Sequence, residues 1–310
     1  MAETTLRLSI RSVAAIRGVI QESSYMRSNL ILAVVLLLLQ SVGALAVEIY
    51  VDNLVGDDVF DGRNSLPSDT GTGPVRTLQR AIQLARFGDQ IVLTRAGAVY
   101  YDSLSLTGTR NSGSPNYPFT IIGNGAILSG LRSVPPAGWR RAGPDLWKLT
   151  LTRKGFYRLL RDGQPLPELI PEAGVNPLES LAPGQWTATG GSVYFRVDGD
   201  FAPATQAFSY AADQTGLSLY QVENVRIVDL TLRDFRFDGI HAQNMCRNVR
   251  LENVTCFNNG RAGIAISGSS KVDVIGGNVS GNGRFQIRIA NNGNANLSDV
   301  AMEGEPTLVP

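Results

Sequence analysis

Asn224-Val225-Arg226-Ile227-Val228-Asp229-Leu230-Thr231-Leu232 can be laid over Asn248-Val249-Arg250-Leu251-Glu252-Asn253-Val254-Thr255-Cys256, and apolar residues then fall at matching positions. Asn294-Ala295-Asn296-Leu297-Ser298-Asp299-Val300-Ala301-Met302 repeats the pattern. Lys271-Val272-Asp273-Val274 opens a further copy, which reads as carrying one extra glycine before Asn278-Val279-Ser280. The copies begin at 224, 248, 271 and 294, a spacing of 24, 23 and 23 residues. A second alternation, at Ile240/Ala242, Ile264/Ile266 and Ile287/Ile289, recurs at the same interval.

Alternation with period two is the strand signal, and the clusters Asn258-Asn259-Gly260, Asn282-Gly283 and Asn291-Asn292-Gly293 break the strands where turns need positive φ. A unit of three short strands without a helix cannot bury its own apolar face. It must stack on copies of itself, so Val225, Val249 and Val272 are expected in one internal column.

With these repeats the chain resembles right-handed parallel β-helix proteins of the pectate-lyase-like superfamily, from about residue 48 onward. The resemblance implies an all-β, single-stranded right-handed solenoid, export from the cell and a polysaccharide partner. Residues 47–310 are read as this domain. Val47 to Asp52 gives a first strand, and Pro74 to Ala85 places Leu78, Ala81, Ile82 and Ala85 on one helical face, with Gly88 as a stop before the strand Asp89 to Leu93. This order resembles the N-terminal cap of secreted β-helices, which covers apolar side chains and unpaired backbone at the first rung. Regularity fails from about Leu131 to Asp213, an interval that holds Trp139, Trp147 and Trp186 and reads as a β-rich insertion. Its aromatic residues either stack on sugars or form a small core of their own, and the core is the commoner use.

The N-terminus carries an apolar run, Leu30 to Leu39, preceded by Met26-Arg27 and followed by Gly43-Ala44-Leu45-Ala46. That is the pattern of a signal peptide over 26–46, cleaved after Ala46, with residues 1–25 an extension from an upstream start codon. Secreted, periplasmic or extracellular location and no membrane association after cleavage are then expected. The alternative is an uncleaved anchor over 30–46, which is short for a bilayer.

Formal charge is +1 over 310 residues. No basic stripe is present, so nucleic acid is not expected as a partner. Export would permit a Cys246–Cys256 disulfide, although Cys256 occupies an inward position equivalent to Leu232. Asp57, Asp58, Asp61 and Asn64 could ligate calcium, against the commoner use of such residues in Asx turns, and no other cofactor is expected. Asn253-Val254-Thr255, Asn278-Val279-Ser280 and Asn296-Leu297-Ser298 fit a glycosylation sequon, but rung periodicity explains their recurrence.

If Ile240 and Ala242 point inward, His241 and Gln243 point outward, and stacking brings Ser267 and Arg288 into the same outward columns with Gln286 beside them. His241 is the one histidine in the chain. Uronate cleavage by β-elimination needs a base for the C5 proton and a cation for the substrate carboxylate, roles that His241 and Arg288 suit, with Asp238 orienting His241. Gln243, Ser267 and Gln286 are candidate substrate contacts. A glycoside hydrolase needs paired carboxylates. Asp238-Gly239-Ile240 and Ala262-Gly263-Ile264 are similar to polygalacturonase-type motifs, but Arg261 and Ala262 stand where that family has neighbouring aspartates. A non-catalytic carbohydrate-binding or surface protein is the competing class. An open solenoid end also raises end-to-end self-association.

Overall fold

The computed structural model describes residues 46–310; the expectations for residues 1–45 lie outside them. The described chain is a right-handed parallel β-helix. One sheet joins, in order, strands Glu48–Val51, Gln90–Leu93, Phe119–Ser129, Glu223–Arg233, Arg247–Glu252, Lys271–Ile275 and Asn294–Ser298. The long strand Glu223–Arg233 bends at a register shift between Val228 and Leu230, and its second half pairs with Thr255–Phe257, which continues the stack through Asn278–Ser280. A six-stranded sheet closes the coil, formed by Leu104–Thr107, Thr215–Tyr220, Asp238–Gln243, Ala262–Ile266, Phe285–Ala290 and Thr307–Val309.

Register turns the sequence repeat into columns. Ile49, Ile91, Ile121, Ile227, Leu251, Val274 and Leu297 succeed one another across seven strands. Val225, Val249 and Val272 form the adjoining column, as their spacing predicts. Leu106, Leu219, Ala242, Ile266 and Ile289 line the opposite wall. Most of these side chains are wholly buried, and each aliphatic one is stabilised by about 2 kcal/mol on leaving water.

The corners carry the asparagine and glycine signals. Asp229, Asn253, Gly276 and Asp299 occupy one corner at φ between 50° and 65°, the left-handed region that Asn, Asp and Gly tolerate. Asn253 Nδ2 donates to Asp229 Oδ1 at 3.1 Å, so successive corners are tied together. The extra glycine expected before Asn278 is not an insertion. Thr255 pairs with Asn278 and Glu252 with Ile275, so Gly277 takes the place of Val254, and a Cβ there would meet Val254 O at 2.1 Å. The difference between 24 and 23 residues lies instead at Asn224 and Asn248, which the ladder skips between Glu223↔Arg247 and Val225↔Val249. Both adopt left-handed φ (54° and 49°), and Asn248 Nδ2 donates to Asn224 Oδ1 at 2.6 Å, which makes them stacked bulges.

The cap forms as expected. Thr77 caps helix Leu78–Leu84, Leu78, Ala81 and Ala85 are buried, and Ile82 is only partly so. The loop aspartates serve this turn: Asp58 accepts from Arg76 N and Thr77 N at 2.9 Å each, while Asp57 and Asp61 accept from Val59 N and Arg63 N. Among the described residues no group of three or more acidic, His or Cys side chains is placed to hold a metal ion.

Between Leu131–Ser133 and Phe208–Ala211 the chain leaves the solenoid and builds two four-stranded antiparallel sheets. Trp139, Trp186, Phe195 and Phe208 form their separate core, with Trp139 and Phe208 edge to face at 5.1 Å. Cys246 and Cys256 are free and fully buried rather than bridged. Cys246 Sγ faces the carbonyls of Leu219 and Gln243 at 3.4 and 3.3 Å, and Cys256 fills the column between Leu232 and Val279.

Asn259 is fully buried, accepts from Phe235 N at 3.0 Å and donates to Leu232 O and Asn282 Oδ1 at 3.3 and 3.0 Å. Asn259→Ala strands a buried N–H and a buried carbonyl. It should lower unfolding free energy by about 3 kcal/mol in a denaturant titration, and a loss below roughly 1 kcal/mol would contradict this ladder.

Candidate functional site

His241 lies on the outer face of Asp238–Gln243, between the inward Ile240 and Ala242. Its outward column runs from Ser105 through Ser218 to His241, then Ala265 and Arg288. An open cleft of about 710 Å³ covers the N-terminal half of this column. Ser105, Ser218, His241 and Gln243 line it, together with Gln79 of the capping helix and with Arg153, Asp213, Phe237 and Arg261.

The histidine is one fifth exposed. Its Nε2 lies 3.1 Å from Ser267 Oγ, and its Nδ1 stands 3.8 Å from Asp238 Oδ2, beyond hydrogen-bond length. Burial pushes the ring's pKa below the ordinary histidine value; Asp238 opposes this, and Arg261 and Arg288 reinforce it. The ring is therefore neutral at pH 7 and can accept a proton.

Asp238 is fully buried and takes a two-pronged ion pair from Arg261, whose Nε donates to Oδ1 at 2.9 Å. It acts on His241 through charge rather than contact. Arg261 also stacks on the Phe237 ring at 4.9 Å, Phe156 meets Phe237 edge to face at 5.0 Å, and Arg284 lies over Phe156 at 4.8 Å. Phe156 holds a left-handed φ of 49°, a strain on the order of 1–3 kcal/mol for a bulky residue, and these stacking contacts offset it. The insertion thus docks an aromatic side chain into a row of guanidinium groups beside the cleft.

Of the six expected residues His241 and Gln243 line the cleft, while Asp238, Ser267, Gln286 and Arg288 do not. Gln286 Oε1 accepts from Asn282 Nδ2 at 2.8 Å, so this side chain turns toward the asparagine corner. Arg288 is two strands from His241, roughly 10 Å by strand spacing, and does not line the cleft. The cations that do are Arg261, which is committed to Asp238, and Arg153, with a half-exposed side chain 3.5 Å from Asp213, which Arg132 also holds at 2.7 Å. Nearby Asp102 has its carboxyl pushed above the usual carboxylate range, first by burial and also by Asp213. Ser105 and Ser218 were reachable from sequence by extending the His241 column upstream. Arg153 and Asp213 stand in the aperiodic interval and carried no signal.

A family model described as the right-handed beta helix region matches residues 215–305. No curated protein matches the chain by sequence. Among solved structures the chain is similar to XylC in complex with xylose, with TM-score 0.44 and 11% identity over 83% of this chain and 63% of that one. It is also similar to the GH136 lacto-N-biosidase from Eubacterium ramulus, with TM-score 0.40 and 15% identity over 81% of this chain and 43% of that one. The chain spans less than two thirds of either structure's length.

Because the folded ring binds its proton less tightly than the unfolded one, His241 contributes its full stability above pH 6.5 and loses it as pH falls through the lowered value. The chain's one histidine gives an unambiguous NMR titration, which should fall below 6.5 and move upward in Arg288→Ala; a ring titrating above 6.5 would refute the described environment. Arg261→Ala leaves Asp238 buried and unpaired and should cost about 3–5 kcal/mol by thermal or chemical unfolding, whereas Arg288→Ala should cost under roughly 0.5 kcal/mol.

Proposed function

We propose that this protein is an exported, carbohydrate-directed β-helix of the pectate-lyase-like kind that cleaves an acidic polysaccharide by β-elimination. One observation carries the reading: a largely buried histidine on the floor of an open polar cleft that also presents the guanidinium of Arg153. The Asp238 carboxylate favours the tautomer with its proton on Nδ1, so that Nε2 accepts the Ser267 hydroxyl proton at rest and offers its lone pair to the C5 proton once that hydroxyl rotates away. The C5–H electron pair then forms the C4–C5 double bond as the glycosidic oxygen leaves C4 with its bonding pair and takes a proton from solvent, while the imidazolium later returns its proton to water. Arg153, which lines the same cleft, is the cation for a uronate carboxylate, and Arg288 extends positive potential along the face. Gln243 adds an amide on the cleft floor. Export rests on the apolar run Leu30 to Leu39.

A second reading is a non-catalytic glycan-binding protein, favoured by the position of Arg288 outside the cleft. A third is hydrolysis through Asp213, which lines the cleft, and Asp102, whose carboxyl is pushed up first by burial and also by Asp213. Incubation of the protein with pectate, alginate and glycosaminoglycan substrates separates the three. The lyase reading expects unsaturated products that absorb in the ultraviolet, lost at least 100-fold in His241→Ala. Reducing ends without unsaturation would indicate hydrolysis, and binding without any product would leave the glycan-binding reading.

A further inference from the structure

The three tryptophans are not equivalent. Trp139 and Trp186 are sealed in the insertion's core at 4% and 1% exposure, and Trp186 Nε1 donates to Leu166 O at 3.0 Å. Trp147, on strand Leu146–Leu149, is only partly buried against that core. It opens on a cleft of about 570 Å³ that it shares with Phe201, Arg141, Asp145 and Asp200.

The charges around this cleft differ from those around His241. The Arg141 guanidinium is tied to the carbonyls of Gly143 and Pro144 at 3.1 and 2.8 Å, and Arg196 is paired with Asp145 at 2.7 Å. Asp200 is exposed and, among the described residues, carries no hydrogen bond or ion pair. The cations are thus committed, while a carboxylate remains free to accept hydroxyl hydrogens. An indole and a phenyl ring offer apolar surface to the C–H face of a sugar, and the unpaired Asp200 carboxylate takes its hydroxyl groups and disfavours an anionic ring.

We propose that the antiparallel insertion carries a second binding site, centred on Trp147, for an uncharged saccharide of one or two rings. It stands apart from the His241 cleft in both position and charge preference, and it does not depend on the catalytic reading. The protein would hold neutral glycan at the insertion while the solenoid face engages acidic chain.

The test is titration of the purified chain with neutral xylo-, cello- and galacto-oligosaccharides, followed by tryptophan fluorescence and calorimetry. A saturable change is expected with at least one of the three, retained in His241→Ala, weakened at least fivefold in Asp200→Ala and abolished in Trp147→Ala. Trp147→Phe keeps a ring in the packing and separates lost stacking from lost folding, with an expected affinity between those of wild type and Trp147→Ala. No saturable change with any neutral oligosaccharide would overturn the proposal, as would binding unaltered in Asp200→Ala and Trp147→Phe. A response to acidic oligomers alone that disappears in His241→Ala would also overturn it. Product formation in the polysaccharide assay is read separately, so failure of one reading is distinguishable from failure of the other.

Discussion

Hydrogen bonds between rungs run along the axis of this molecule, so every turn of the coil must deliver its residues at the height and angle set by the turn before. A helix or an antiparallel hairpin can absorb an extra residue at its end. A parallel coil cannot, because a one-residue slip would send an entire inward column outward. The solution here is to confine irregularity to corners where left-handed φ is available. Asn224 and Asn248 are each one residue in excess, and they are tolerated because they coincide on adjacent rungs and bond to each other. Gly277 solves the converse problem, since the corner beneath it leaves no room for the valine found one rung earlier.

The same constraint supplies the site. Once Ile240 and Ala242 are committed to the interior, His241 has no choice of face. What surrounds it then decides its chemistry. Asp238 is held wholly inside the corner, where a lone carboxylate would be prohibitively costly, and Arg261 on the next rung neutralises it. Arg261 therefore has a structural reason for being a cation. It clamps a buried carboxylate, and its remaining positive field helps to keep His241 unprotonated.

What could be read in advance followed periodicity. The valine column, the cap helix and the outward direction of His241 all follow from apolar spacing, and each lies where alternating side chains leave a single consistent assignment. Corner residues were harder. Gln286 occupies a strand position whose direction alternation specifies, yet its long side chain reaches back to Asn282, because a buried amide there needs an acceptor more than the outer face needs a polar group. Asp238 was likewise ambiguous, since the first residue of a strand can turn to either side. Arg153 and Asp213 belong to segments whose positions depend on how the insertion folds against the solenoid, a matter of tertiary docking with no local signature.

The position of the cleft follows from where the walls are. A β-helix face is flat, and a flat face binds chains weakly because it excludes little water and fixes few contacts. Depth has to come from something projecting beside it. Here the capping helix contributes Gln79, and the segment that leaves the repeats contributes Arg153 and Asp213, to the lining beside the His241 column. Downstream, Ala265 and Arg288 lie on the same face but do not line the cleft. The insertion thus does more than interrupt the repeat: it changes which cations of the outward face are positioned to meet a ligand. That is why Arg153, remote from the repeats in sequence, lines the cleft while Arg288, aligned with His241 by register, does not.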